Sequence, residues 1–147
     1  MAVRNILKGE DPGLRKIARP VAQIDMRVQT LVADMIETMK AADGIGLAAP
    51  QVGILRRVIV VDVGQGPMPL INPQLMKNSG EQVANEGCLS LPGIRADVCR
   101  PMKVSVCGFN PQGEKVVYTG TGLFARVICH ELDHLEGVLF TDHVKGS

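Results

Sequence analysis

The chain has 147 residues, 46% hydrophobic and 21% charged, with 16 Lys and Arg against 15 Asp and Glu and a formal net charge of +1. That is the make-up of a single globular domain over residues 1–147; it excludes intrinsic disorder, and the balanced charge gives no long-range field to collect nucleic acid or an anionic membrane. With three Phe, one Tyr and no Trp there is little to stack on bases, and no apolar run approaches the roughly 20 residues of a membrane span.

The opening segment, MAVRNILKGEDPG, has no apolar signal core, so a cytoplasmic protein of bacterial type is expected, with a trimmed organellar form reading the same. From Asp25 to about Ala42 the apolar residues Val28, Leu31, Val32, Met35, Met39 and Ala42 recur at three and four, which predicts an amphipathic helix capped by Asp25 and ended by Gly44. Arg57–Val63, a short piece near Leu70 and Ile71, Lys103–Phe109 and Lys115–Thr119 read as strands, with Asn110–Gly113 turning the last two into a hairpin. Glu86–Gly93, EGCLSLPG, reads as a loop. The four cysteines, Cys88, Cys99, Cys107 and Cys129, are irregularly spaced without a CxxC pair, so reduced thiols are expected. A second helix runs from about Gly122 to Glu136 and ends at Gly137. Strands without a helix after each disfavour a parallel sheet. The expected class is α+β: antiparallel or mixed sheets around a central C-terminal helix, with one N-terminal amphipathic helix.

The C-terminal helix carries HELDH, which sets His130 and His134 four apart, one turn from each other on one face, with Glu131 beside them. Two imidazoles that chelate one divalent ion, next to a carboxylate that can move a proton, form the zincin pattern. Such a site needs a third protein ligand. The metzincin position for a third His is occupied by Phe140, and little chain follows His134 to supply a distant Glu. The third ligand is therefore expected upstream, where Cys88 lies in the EGCLSLPG segment. Spacing favours Cys88 over Cys99, Cys107, Cys129 and the tail residue His143, and leaves the choice open.

Three segments, GIGLAAPQ (44–51), EGCLS (86–90) and HELDH (130–134), occur in an order and spacing that resemble the peptide deformylase family, as do DPGLRKIARPV (11–21) and LEGVLFTD (135–142). The resemblance implies removal of the formyl group from the N-terminal formylmethionine of newly made polypeptides, giving formate and a free amine. Residue by residue, it implies Cys88, His130 and His134 as metal ligands and Glu131 as general base and acid. It also implies Gln51 and the backbone N–H of Leu89 as donors to the developing oxyanion. The expected metal is Fe²⁺, with Zn²⁺, Ni²⁺ or Co²⁺ able to occupy the same ligands. The expected partners are N-formylmethionyl nascent peptides met near the ribosome, with no nucleic acid or membrane, and the protein is expected to act as a monomer.

By the same resemblance the substrate lies extended along Ile45 and Gly46 and along the segment after Cys88, and Ile45, Glu86, Leu123 and Val127 border a pocket for the methionine side chain. Val127 also falls three residues before His130 on the catalytic face. Arg95 resembles a residue that contacts the peptide further along. The position before HELDH, commonly Gln in this family, is Cys129 here, which removes an amide from the surroundings of the ligands. Asp133, off the metal face, is expected to pair with Arg100. The competing readings are a general zinc endopeptidase, disfavoured by Cys88, and a non-catalytic or altered-specificity peptide-binding relative, disfavoured by Glu131 and Gln51, neither of which is needed merely to hold a metal.

Overall fold

The run Val58–Val61 (β2) is buried at every position, and its side chains divide between two layers. Ile59 and Val61 join the core around the C-terminal helix, whereas Val58 and Val60 join the core under the N-terminal helix. Alternation of side chains along a strand requires this division, so a strand covered on both faces reads as a continuous apolar run. The computed structural model describes residues 2–144.

The N-terminal helix, α1 (Met26–Ala41), begins after Asp25, whose side chain accepts the Val28 N–H at 3.1 Å. Leu31, Val32, Met35 and Met39 of the predicted stripe are buried. Two polar residues share that face. Asp34 accepts the Ala2 N–H at 2.8 Å and the Arg4 Nε–H at 2.9 Å, and Thr38 Oγ accepts the Arg4 N–H at 2.8 Å. Together they pin the N-terminal segment to α1.

The Asp34 carboxyl lies below its ordinary value because the Ala2 N–H stabilises the charged form most, with Arg4 adding to it against the opposing effect of burial. A native value below the unfolded one gives stability that is present above the usual carboxylate range and lost as pH falls through the native value. Asp34→Ala is therefore expected to cost about 1–3 kcal/mol at neutral pH, because it removes a charged acceptor shared by the Ala2 N–H and the Arg4 guanidinium. Urea unfolding across a pH series checks this: the gap between variant and native protein should narrow in acid, and a constant gap would contradict the role of the charge.

Five strands form one antiparallel sheet in the order β1-β2-β3-β6-β7, with β1 Gly46–Ala48, β3 Met68–Ser79, β6 Lys103–Phe109 and β7 Lys115–Thr121. The remaining pair, β4 (Gln82–Cys88) and β5 (Leu91–Arg100), makes a separate two-stranded sheet. The segment predicted as a loop is thus the tip of a hairpin, with Leu89 and Ser90 at the turn. β3 is also much longer than the piece predicted at Leu70 and Ile71. Its register shifts between Ile71 and Gln74 and between Leu75 and Lys77, and Asn72 has φ +52°. Such irregularities bend a strand. Asn72 also fastens Val21, accepting its N–H at 2.8 Å and donating to its carbonyl at 2.9 Å.

The C-terminal helix, α2 (Leu123–Leu135), packs Ala125, Val127, Ile128 and Leu135 against Ile59, Val61, Leu70, Val104 and Val106. It ends where Gly137 takes φ +72°, a conformation that favours glycine, and a methyl group there would lie 2.5 Å from the Arg15 carbonyl oxygen. A third core of Leu14, Leu91, Val98, Leu139 and Phe140 seats β5 on the chain after α2. The α+β class, the antiparallel sheets and the two helices agree with expectation. No helix among the described residues is long and apolar enough to cross a membrane.

Candidate active site

HELDH occupies the last two turns of α2, and the hairpin β4–β5 delivers Cys88 to it from the end of β4. The ligating atoms of Cys88, His130 and His134 all lie within 4.8 Å of one another, the one such group of His, Cys, Asp and Glu side chains among the described residues. Cys88 Sγ is 3.4 Å from His134 Nε2. A thiolate sulfur and an imidazole nitrogen on one tetrahedral ion stand about 3.5 Å apart, given metal–ligand lengths near 2.3 and 2.0 Å. The donor set and its spacing therefore fit a divalent metal.

The surroundings fix which nitrogen of His130 is available. Its Nδ1 is 2.9 Å from Glu86 Oε1, leaving Nε2 free toward Cys88 and His134. Phe140 stacks on the His130 ring at a centroid distance of 6.0 Å. The residue that rules out a metzincin-type third His thus serves as packing. His134 is almost wholly buried, and its Nδ1 has no hydrogen-bond partner. Burial, together with the charge on His130, holds its imidazole down to about 3, so it is neutral. Burial also disfavours charge on His130, yet neighbouring Cys88, Glu131 and Glu86 outweigh it and raise that ring to about 10 in the absence of metal. Binding an ion there displaces a proton.

Glu86 is the anchor of a buried ion network. Arg100 donates to it through Nε and Nη2, both at 3.0 Å, and Arg126 donates through Nη1. Burial would raise the Glu86 carboxyl, but the bonds from His130 and Arg100 and the guanidinium charge bring it down to about 2. Arg100 Nη1 also meets Asp133 Oδ2 at 2.6 Å, the pairing expected from charge, and His143 Nε2 contacts the same oxygen at 2.8 Å. His143 thus lies in the ion network, outside the metal group. Sequence reading assigned Glu86 only to the pocket wall; here its carboxylate is engaged by three side chains. Arg126 was missed, although it stands four residues before His130 on the same helical face.

All the expected site residues except His134 line a single cavity of about 420 Å³: Ile45, Gly46, Gln51, Glu86, Cys88, Leu89, Arg95, Leu123, Val127, His130 and Glu131. Ile45 and Leu123 are exposed at its walls, and Val127 is buried. Arg95 donates to Asn85 Oδ1 at 2.5 Å, its guanidinium lying over Gly87. The Gln51 side chain is held at both ends: Oε1 accepts the Ala48 N–H at 2.9 Å, while Nε2 donates to Ser90 Oγ at 3.1 Å and faces Cys88 Sγ at 3.6 Å. Ser90, fully buried, closes the EGCLS segment, but nothing in the sequence pairs it with Gln51. Glu131 is buried, Oε1 has no partner, and burial raises its carboxyl to about 7 against the pull of His130 and Arg100. A methyl group on Gly46 would overlap the Glu131 carboxylate and sit 2.8 Å from Val127 Cγ1, so only glycine lets β1 pass this close. Cys129 is free and half-buried against the main core, where burial pushes its thiol up.

Comparison with known proteins identifies the chain's relatives. The family model described as polypeptide deformylase matches residues 3–147. The peptide deformylase of Alkaliphilus metalliredigens is 58% identical over 98% of this chain and 98% of its own. The crystal structure of the Thermotoga maritima peptide deformylase superimposes with a TM-score of 0.95 at 44% identity, covering 99% of each chain. That of Synechococcus elongatus in complex with actinonin gives 0.94 at 42% identity, over 97% of this chain and 79% of the other. With the sequence match running through all three motifs and the fold reproduced end to end, the chain belongs to the polypeptide deformylase family.

Proposed function

We propose that this chain carries out its family's reaction, hydrolysis of the formyl group from the N-terminal formylmethionine of new polypeptides, with Cys88, His130 and His134 holding one divalent metal. The observation that carries the reading is the convergence of those three donors, Cys88 and His130 among them lining the cavity, beside a buried carboxylate, Glu131, that still has an unpartnered oxygen. An ion at these ligands supplies Lewis acidity toward the formyl carbonyl and toward water. Glu131, raised toward neutrality by burial, takes a proton and passes it to the departing amine. Gln51 Nε2 and the Leu89 N–H donate to the formyl oxygen as it gains charge. Glu86 keeps His130 in the ligating tautomer.

Ile45, Leu123, Val127 and the stem of Glu86 wall the methionine side chain, and Arg95 meets the peptide beyond it. Fe²⁺ is the resident ion, with Zn²⁺, Ni²⁺ and Co²⁺ accepted by the same donors. The chain works as one catalytic domain, as a monomer in the cytoplasm and close to the ribosome, where formylated N-termini emerge. The ligand assignment is tested by adding Co²⁺ to metal-free protein. Thiolate-to-metal charge-transfer absorption is expected, and Cys88→Ser should abolish it; its persistence would remove Cys88 from the ligand set. Gln51→Leu, which keeps volume and loses the donor, is expected to lower kcat about 10² to 10³-fold. Steady-state kinetics on a formyl-Met tripeptide check it, and a rate near that of the native protein would reject the role.

A further inference from the structure

Leu123, the first residue of α2 and 52% exposed, is a wall shared by the catalytic cavity and a second groove of about 550 Å³. That groove lies between Val63 and Gln65 of the β2–β3 loop, with Met68 at the start of β3, and residues Tyr118–Thr121 of β7. No charged side chain lines it. β7 is the last strand of its sheet, so its outer edge carries backbone groups with no neighbouring strand. The ring of Phe124 closes over Gly120, where any side chain would collide with it. At the opposite end of the sheet, β1 borders the catalytic cavity at Gly46. The sheet thus presents one edge strand to each groove, and both grooves share Leu123.

We infer that this second groove receives the part of the polypeptide substrate that lies downstream of the residues held in the catalytic cavity. The inference rests on the deformylase reading above and extends it to the substrate's path. A substrate that is a growing polypeptide is longer than the cavity and must leave it over one of its walls, and Leu123 is the wall that opens onto a further groove. An uncharged lining next to an unpaired strand edge binds extended main chain and does not select among side chains. This suits an enzyme whose substrates share only their first residue. Arg95 lines the catalytic cavity itself and so meets the residues just after methionine, before the chain reaches this groove. The remaining groove, at the start of α1, shares no residue with the catalytic cavity.

The test gives the groove a charge and asks whether only long substrates notice. Gln65 and Thr121 are exposed and lie outside the catalytic machinery. For Gln65→Lys with Thr121→Lys, kcat/KM is measured on a formyl-Met tripeptide and on decapeptides whose residues after the third are acidic or basic. At low salt the acidic decapeptide is expected to gain, and the basic one to lose, about threefold to tenfold, with the tripeptide unchanged. The pair Gln65→Glu with Thr121→Glu should reverse both signs, which a folding defect cannot do. The native protein should treat the two decapeptides alike. Decapeptides that do not respond, or a tripeptide that responds equally, would overturn the path through this groove. A native protein that releases formate from none of the peptides overturns the deformylase reading and this inference with it.

Discussion

Glu131→Gln is expected to reduce kcat/KM on a formyl-Met peptide by about 10² to 10⁴-fold while leaving metal content and fold intact. The carboxyl is buried, its Oε1 has no hydrogen-bond partner, and burial raises it to about 7. A group poised near neutrality can both accept and return a proton, whereas the amide that replaces it has the same shape and does neither. Kinetics paired with metal analysis of the same sample check this. Activity close to that of the native protein would remove Glu131 as the proton carrier. Loss of metal along with activity would make it a ligand instead. A peptide-binding relative without catalysis would lose little on this substitution, so the variant also separates that reading from the enzymatic one.

Glu86→Ala is expected to have the largest effect on stability, about 3–5 kcal/mol, because it removes the anion from between two buried guanidinium groups. Arg100 would keep Asp133 as a partner, and Arg126 would keep only a long contact of 3.5 Å to the Gln82 carbonyl. A second effect follows through His130, whose Nδ1 would lose its acceptor. Loss of such a partner typically weakens metal binding about 10 to 100-fold. Denaturant unfolding measures the first and competition with a chelator the second. A variant altered only in KM, with stability and metal affinity unchanged, would reduce Glu86 to a piece of pocket wall.

The features legible in the sequence are those fixed by short periods. His130 and His134 share a helical face because they stand four apart, and Asp25 caps α1 because its side chain reaches the Val28 N–H. The strand Val58–Val61 is visible because both its faces are buried. The later half of β3, Gln74–Ser79, is exposed throughout, so it has no apolar alternation to reveal it. The hairpin β4–β5 is hidden because its burial does not follow polarity: Val83 and Ile94 are exposed, while Glu86 and Arg100 are buried. That misreading left Cys88 in a loop, although strand pairing is what carries it to α2. In the site, family resemblance supplied residues by position, and the reasons behind several of them lie in three dimensions. Gly46 is needed because Glu131 passes over it, and Glu86 has its carboxylate engaged by Arg100, Arg126 and His130. Partners so far apart along the chain leave no local pattern, and Ser90 and Arg126 were overlooked on that account.

The most direct test of the account is the rate of formate release from a formyl-Met tripeptide by protein purified without oxygen, with bound metal and the oxidation state of Cys88 measured in the same sample. Oxygen is excluded because a thiolate beside Fe²⁺ oxidises readily. The account predicts turnover that scales with metal occupancy, stops on chelation and returns when Fe²⁺ is restored. Full metal occupancy with reduced Cys88 and no formate released would contradict it.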